Sequence, residues 1–271
     1  MRIMLTIPVF LLAAVPMAFP EENVMEMDFS DLFEKHEGTV VVYDATADRY
    51  FVHNRKRSET RFTPFSTFKI PNSLIALETG ILKDTDTEFF WDTTKYPPEE
   101  WWPQQWNGTH TMRTAITYSV VPFYREIATR VGGKRMKAYV TKFRYGNADI
   151  SSGNDNFWLN GSLAISAWEQ IDFLVRFYGN ALGVGKETTK AVKDILVQEK
   201  GSGYTLSAKT GGGSPLKDRP DRALGWYVGY VEKEKNVWFF ALNIEGNNFA
   251  DIKDLRIDVT RQVLKRLKII E

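Results

Sequence analysis

Apolar residues recur along this chain in two rhythms, and the rhythm changes twice. Near the start, Thr39-Val40-Val41-Val42-Tyr43 and Tyr50-Phe51-Val52-His53 form two short apolar runs. The polar link at 45–48 between them makes the pair a β-hairpin. Just ahead of it, residues 27–36 carry apolar positions at helical spacing and predict a short amphipathic helix. Ile70, Leu74, Ile75 and Leu77 predict a second helix over 66–79, with Gly80 as its stop signal. Residues 84–111 have no period. They are rich in Asp, Pro, Trp and Thr and read as a long structured loop. Helical spacing returns over about 112–131, 134–143, 166–180 and 186–198. Between these lies a loop at 145–160, rich in Asn, Gly, Ser and aromatic residues. The last third changes again, to strands at 204–209, 223–232 and 237–245, and it closes with an amphipathic helix over 252–269.

Strands therefore stand at both ends of the chain and helices between them. A compact solution pairs the terminal strands in one antiparallel sheet and packs the middle helices as a second lobe. The expected class is α/β (α+β), with a sheet lobe from about 19–65 and 200–271 and a mainly helical lobe from about 66–199. A cleft is expected where the lobes meet, with the helix over 66–79 through the centre. The 271 residues suit one catalytic domain built this way, and the sequence contains no internal repeat or low-complexity linker.

Residues 1–18 have the make-up of a secretory signal. Arg2 is the only positive charge, 3–14 is apolar apart from one Thr and one Pro, and Ala13, Ala14 and Ala18 precede the polar Glu21-Glu22. This run is too short for a stable bilayer anchor. Its position predicts a periplasmic or secreted protein, although Pro16 leaves the cleavage point open. The net charge of +1 and the lack of any basic run argue against nucleic-acid binding. The chain has no Cys, which excludes thiol catalysis, disulfides and Cys-ligated metals. His36, His53 and His110 lie far apart and show no metal-ligand spacing, so no metal is expected. The oligomeric state is open, and a homodimer is one of the arrangements allowed.

Three short motifs carry chemistry. In Ser66-Thr67-Phe68-Lys69 a Ser at a helix start shares one face with a Lys three residues on. The Ser hydroxyl is a weak nucleophile without a base, and a Lys amine acts as a base only when neutral. Burial among Phe65, Phe68 and Ile70 would disfavour its charge. The helix N-terminus also offers N–H groups to an oxyanion. Taken alone, the pattern equally fits an N-cap Ser followed by a solvated Lys. A second copy, Ser214-Pro215-Leu216-Lys217, lies in a polar turn where its Lys stays hydrated. Ser119-Val120-Val121 supplies a second hydroxyl able to relay a proton to a leaving nitrogen, or else a buried Ser bonded to backbone. Lys209-Thr210-Gly211 ends a strand and offers a cation and a hydroxyl to a carboxylate, with Gly211, Gly212 and Gly213 allowing close backbone approach.

In this order and spacing the three motifs form the signature of penicillin-recognising serine enzymes. The chain resembles the class D β-lactamases, or oxacillinases, over essentially its whole length after the leader. The resemblance is carried by 64–69, by Ser119-Val120-Val121, by Tyr145-Gly146-Asn147, and by Phe157-Trp158-Leu159 followed by Ile165-Ser166-Ala167. Lys209-Thr210-Gly211, Gly225-Trp226-Tyr227-Val228-Gly229 and Arg256 complete it. Class A enzymes carry Ser-Asp-Asn as the second motif and deacylate with a Glu; here that motif is apolar and 145–160 contains no Glu.

What the resemblance implies is a penicillin-recognising transpeptidase-like fold that hydrolyses the β-lactam amide. Ser66 is implied as nucleophile, and Lys69, N6-carboxylated by carbon dioxide, as the base of both acylation and deacylation. Trp158 is implied to hold that carbamate, and Val121 to keep its pocket dry. The backbone N–H groups of Ser66 and Gly212 match the oxyanion hole. Ser119 and Lys209 pass a proton to the lactam nitrogen, and Lys209, Thr210, Gly211 and Arg256 bind the substrate. Arg256 also fits a solvated helix face, Tyr145 fits a loop anchor as well as a direct role, and Trp101, Trp102 and Trp106 fit either a cleft wall or the core. Gly212-Gly213-Ser214-Pro215 stands where relatives often carry a bulkier residue, which bears on substrate preference. A cell-wall transpeptidase or carboxypeptidase, or a β-lactam sensor domain, shares the three motifs and would acylate without turnover.

Overall fold

A computed structural model describes residues 21–159, 161–214, 216 and 219–271. The segment 1–18 read as a leader lies outside the described residues, as do Pro215 and Lys217 of the second Ser-x-x-Lys copy.

The strands are β1 Val24–Glu26, β2 Gly38–Asp44, β3 Arg49–His53, β4 Val197–Gly201, β5 Tyr204–Gly213, β6 Ala223–Lys233 and β7 Asn236–Gly246. They form one sheet in the order β1-β3-β2-β7-β6-β5-β4. All neighbours are antiparallel except β1 and β3. The join between the chain's two ends is β2 on β7, with Val41 opposite Ala241. Arg57 strengthens it: its guanidinium donates to the fully buried Glu245 at 2.8 Å and to Asn243 at 2.8 Å.

The helices are α1 Arg55–Ser58, α2 Lys69–Glu78, α3 Met112–Thr117, α4 Val121–Val131, α5 Gly133–Lys142, α6 Ala167–Tyr178, α7 Lys186–Leu196, α8 Phe249–Ile252 and α9 Leu255–Arg266. Strand side chains alternate between faces, so each sheet face builds its own core. Val41, Trp226, Val228 and Ala241 join the large cluster under α2 to α7. Val40, Val42, Tyr227 and Leu242 join the cluster under α9. Helix α2 is the centre of the larger cluster, with Ile70, Leu74, Ile75 and Ala76 at most 1% exposed.

Several sequence expectations need correction. Residues 27–36 are not a helix but a single 3-10 turn, Ser30–Leu32. The apolar spacing there comes from Phe29 and Phe33, which anchor the chain beside His53, Phe33 stacking on its ring at 4.9 Å. The helix read over 112–131 is two helices, α3 and α4. Pro122 has no N–H to continue α3, so it opens a new helix, and Ser119 sits in the break at φ +60°. The final helix is α9, starting at Leu255 rather than 252, and a separate short helix, α8, precedes it. Strand β4 occupies what read as the end of a helix, and β1 and α1 were not expected.

Candidate active site

The nucleophile motif begins as a 3-10 turn, Phe65–Phe68, and passes into α2 at Lys69. Three residues of this tight winding bring Lys69 Nζ to 2.7 Å from Ser66 Oγ. Thr67 locks the turn from below. Its hydroxyl donates to Pro64 O at 2.8 Å and accepts from Gln170 Nε2 at 2.9 Å, with Tyr145 Oη 3.3 Å away. Tyr145 is fully buried and is not among the residues that line the cleft, so its contacts to Thr67 and Gln170 favour the structural one of its two readings. Phe65, at φ +49°, and Ser119 both hold left-handed backbone conformations that cost a residue with a Cβ about 1 kcal/mol or more. Both line the cleft.

Lys69 is 0% exposed. Its Nζ lies 5.3 Å from the centre of the Tyr124 ring, and Phe68 beside it is stacked on Trp158 at 5.3 Å. No carboxylate pairs with Lys69 among the described residues. Desolvation, helped by the positive charge of Lys209, holds its amine well below the ordinary lysine value. Burial therefore shifts Lys69 toward the neutral form in which an amine can act as a base.

Lys209 stands on β5 with Nζ donating to Thr210 O at 3.1 Å and Thr210 Oγ1 at 3.3 Å. Burial, and secondarily Arg256, push its amine down to about 7. Arg256 is not on a solvated face: it is 7% exposed, and Nη1 donates to Gly211 O at 2.7 Å. Its Nε is buried without a partner among the described residues. Burial lowers its pKa to about 10, which leaves it a cation at neutral pH. Gly211 and Gly212 are required by close approach. A Cβ on Gly211 would lie 2.8 Å from Pro64 O and 3.0 Å from Thr67 N, and one on Gly212 would lie 2.6 Å from Leu224 O. Strand β5 is thus laid directly against the turn that carries Ser66.

A cavity of about 720 Å³ opens here. Ser66, Ser119, Val121, Thr210, Gly211, Gly212 and Arg256 line it, so seven of the ten residues singled out meet in one place. The other three, Lys69, Lys209 and Trp158, are buried and line no part of it. Trp101, Trp102 and Trp106 prove to be cleft wall, with Trp106 also buried in the core and its indole donating to Tyr118 O at 2.8 Å. Glu99, Arg125, Leu159 and Phe249 line the cavity as well and were not expected. The spacing held a clue for Arg125 alone: it lies four residues after Val121, on the same helical face.

The arrangement joins a hydroxyl at the cleft, a buried amine shifted toward its neutral form behind it, and the buried cation Arg256, the requirements of acyl transfer through a serine ester. The penicillin binding protein transpeptidase domain family matches residues 38–267. The OXA-48 β-lactamase of Klebsiella pneumoniae is 40% identical over 276 aligned residues, which cover 100% of both chains. The chain belongs to the class D β-lactamases. A class D β-lactamase structure from Sebaldella termitidis superposes with a TM-score of 0.84 at 35% identity, covering 92% of this chain and all of that one. The C-terminal domain of the Bacillus licheniformis BlaR penicillin receptor also superposes, with a TM-score of 0.85 at 32% identity over 94% of this chain and all of that one. Class D membership is consistent with the apolar Val120-Val121 that follows Ser119 here, buried at Val120 and half-buried at Val121.

The buried amines also set how this class D chain responds to pH. Lys209 titrates near 7 in the folded chain, against 10.5 for an ordinary lysine. Between these values the unfolded chain binds more protons, so stability rises with pH. Below 7 both states are protonated and the burial penalty is complete. We expect the thermal midpoint to rise from pH 7 to pH 9, and Lys209→Met to flatten that rise. A wild-type midpoint that falls across the window would contradict a neutral Lys209.

Proposed function

We propose that this class D chain hydrolyses the β-lactam amide of penicillin-type antibiotics through an acyl-enzyme on Ser66. The observation that carries the proposal is the contact of Ser66 Oγ with the Nζ of an entirely buried Lys69. Ser66 attacks the lactam carbonyl. The N–H groups of Ser66 and Gly212 hold the developing oxyanion, and loss of one such donor typically raises a barrier by about 3–4 kcal/mol. Lys209, its amine close to neutrality, and Ser119 carry a proton to the departing nitrogen. Thr210 and Arg256 hold the substrate carboxylate, and the Arg256 Nε, without a partner among the described residues, is unused donor capacity on that guanidinium.

The residues around Lys69 fit an N6-carboxylated form. An unprotonated amine is what carbon dioxide requires, and complete burial of Lys69 beside the Tyr124 ring, with the adjacent Phe68 stacked on Trp158, excludes the water that would keep it charged. When formed, the carbamate supplies an anionic general base for acylation and for the water that releases the product. Trp158 and Val121 then keep that base dry and oriented.

The leader at 1–18 supports export to the periplasm or the medium. No helix among the described residues is long and apolar enough to cross a membrane. The likeness to the BlaR receptor domain favours one second reading, a domain that acylates and stops. Steady-state hydrolysis of nitrocefin separates the two: sustained turnover is expected, and a burst equal to the enzyme concentration with no further hydrolysis would favour the sensor.

A further inference from the structure

The cleft holds a second guanidinium that the reaction above does not use. Arg125 enters from α4, one turn or about 6 Å along the helix from Val121 and on the same face. Arg256 enters the same cavity from α9, beside β5. Arg125, Leu159 and Trp102 line the same cavity as Ser66 and Arg256, so a substrate with its ring carboxylate at Arg256 and its lactam carbonyl at Ser66 leaves its acyl side chain within reach of this shared lining.

Arg125 is fixed before any ligand arrives. One Nη donates to Asp155 at 3.1 Å, and the guanidinium lies 4.5 Å over the Tyr96 ring. Tyr96 in turn donates to the same Asp155 at 2.8 Å. This triangle holds the plane of the guanidinium and occupies one of its nitrogens. Its Nε is buried without a partner, and its other Nη has none among the described residues. The side chain keeps 30% of its surface exposed. A cation held in place with an open donor in an apolar-walled cleft is suited to a carboxylate, because its ordering cost is already met by the protein. Glu99 lies on the exposed rim of the same cavity, where it accepts from Trp101 Nε1, and it opposes an anion.

We propose that Arg125 forms a second carboxylate site, which selects β-lactams whose acyl side chain carries a carboxylate of its own. Arg125 is then a specificity residue, and the inference rests on the hydrolytic reading above.

A matched pair of substrates tests it. Benzylpenicillin and carbenicillin differ by one side-chain carboxylate, and the readout is the ratio of their kcat/KM values. If only acylation occurs, the ratio of acylation rates serves instead. Arg125→Gln is expected to lower the carbenicillin-to-benzylpenicillin ratio about tenfold, mainly through the KM for carbenicillin. Arg125→Lys keeps the charge and should hold the ratio within about threefold, while Glu99→Gln should raise it. If Arg125 serves only to tie Asp155 to α4, Arg125→Gln slows both substrates by the same factor. That result, or an unmoved ratio, overturns the proposal. The wild-type rate on benzylpenicillin reports separately on the hydrolytic reading.

Discussion

Ser66→Ala is expected to abolish acylation, and Lys69→Ala to reduce turnover by about 10⁴-fold or more, because a hydroxyl and the base that activates it act as one unit. The two side chains touch at 2.7 Å, and no other base contacts Ser66 among the described residues. The double variant should therefore be no slower than the worse single one. Mass spectrometry after exposure to benzylpenicillin should show no adduct on Ser66→Ala. Nitrocefin hydrolysis measures the rest. Lys69→Ala does more than delete a base: it removes an amine whose burial costs free energy, so its thermal midpoint should not fall as a cavity in the core normally requires. A dead variant that melts no lower than wild type identifies a loss of chemistry rather than of fold. Activity of Lys69→Ala within tenfold of wild type would remove Lys69 from the mechanism.

Arg256→Ala is expected to lower kcat/KM by about 10²-fold, mostly through KM, the usual scale for truncating one partner of a buried, hydrogen-bonded charge pair. Two losses add. The cleft loses the buried cation proposed to hold the substrate carboxylate, and Gly211 O loses its 2.7 Å donor. Arg256 also pushes the Lys209 amine down, so its removal should raise the Lys209 pKa above about 7. The limb of the rate profile that depends on neutral Lys209 then moves to higher pH. Arg256→Lys keeps a charge but loses the planar fork and should fall between the two. A variant with an unchanged KM would mean that Arg256 serves only the β5 backbone.

What the chain disclosed in advance followed from local spacing. The hairpin of β2 and β3 and the long strands β5 to β7 were legible because strong β-formers stand between clear turns. The contact of Ser66 with Lys69 was legible because residues three apart share a helical face. Strand β1 has only three residues, and β4 carries Gln198, Glu199 and Lys200 on a half-exposed edge, so neither has an apolar signature. The break at Ser119 was hidden because Pro122 suits the first turn of a helix as readily as it interrupts one. The roles of Trp158, Gly212 and Arg256 came from family likeness. They lie about 90 to 190 residues from Ser66 in sequence, and no local period links positions so distant. The tryptophan wall and Arg125 depend on how an aperiodic loop folds over α4, which hydropathy does not encode.

One property unites these results: a lysine with no carboxylate partner among the described residues is held out of water against the serine hydroxyl. The measurement that tests it most directly is nitrocefin hydrolysis by enzyme degassed at low pH, returned to neutral buffer and assayed with and without added bicarbonate. Restored activity that saturates with bicarbonate is the predicted result. Full activity at once in carbonate-free buffer, indifferent to bicarbonate, would contradict the carbamate and with it the account of how Lys69 works.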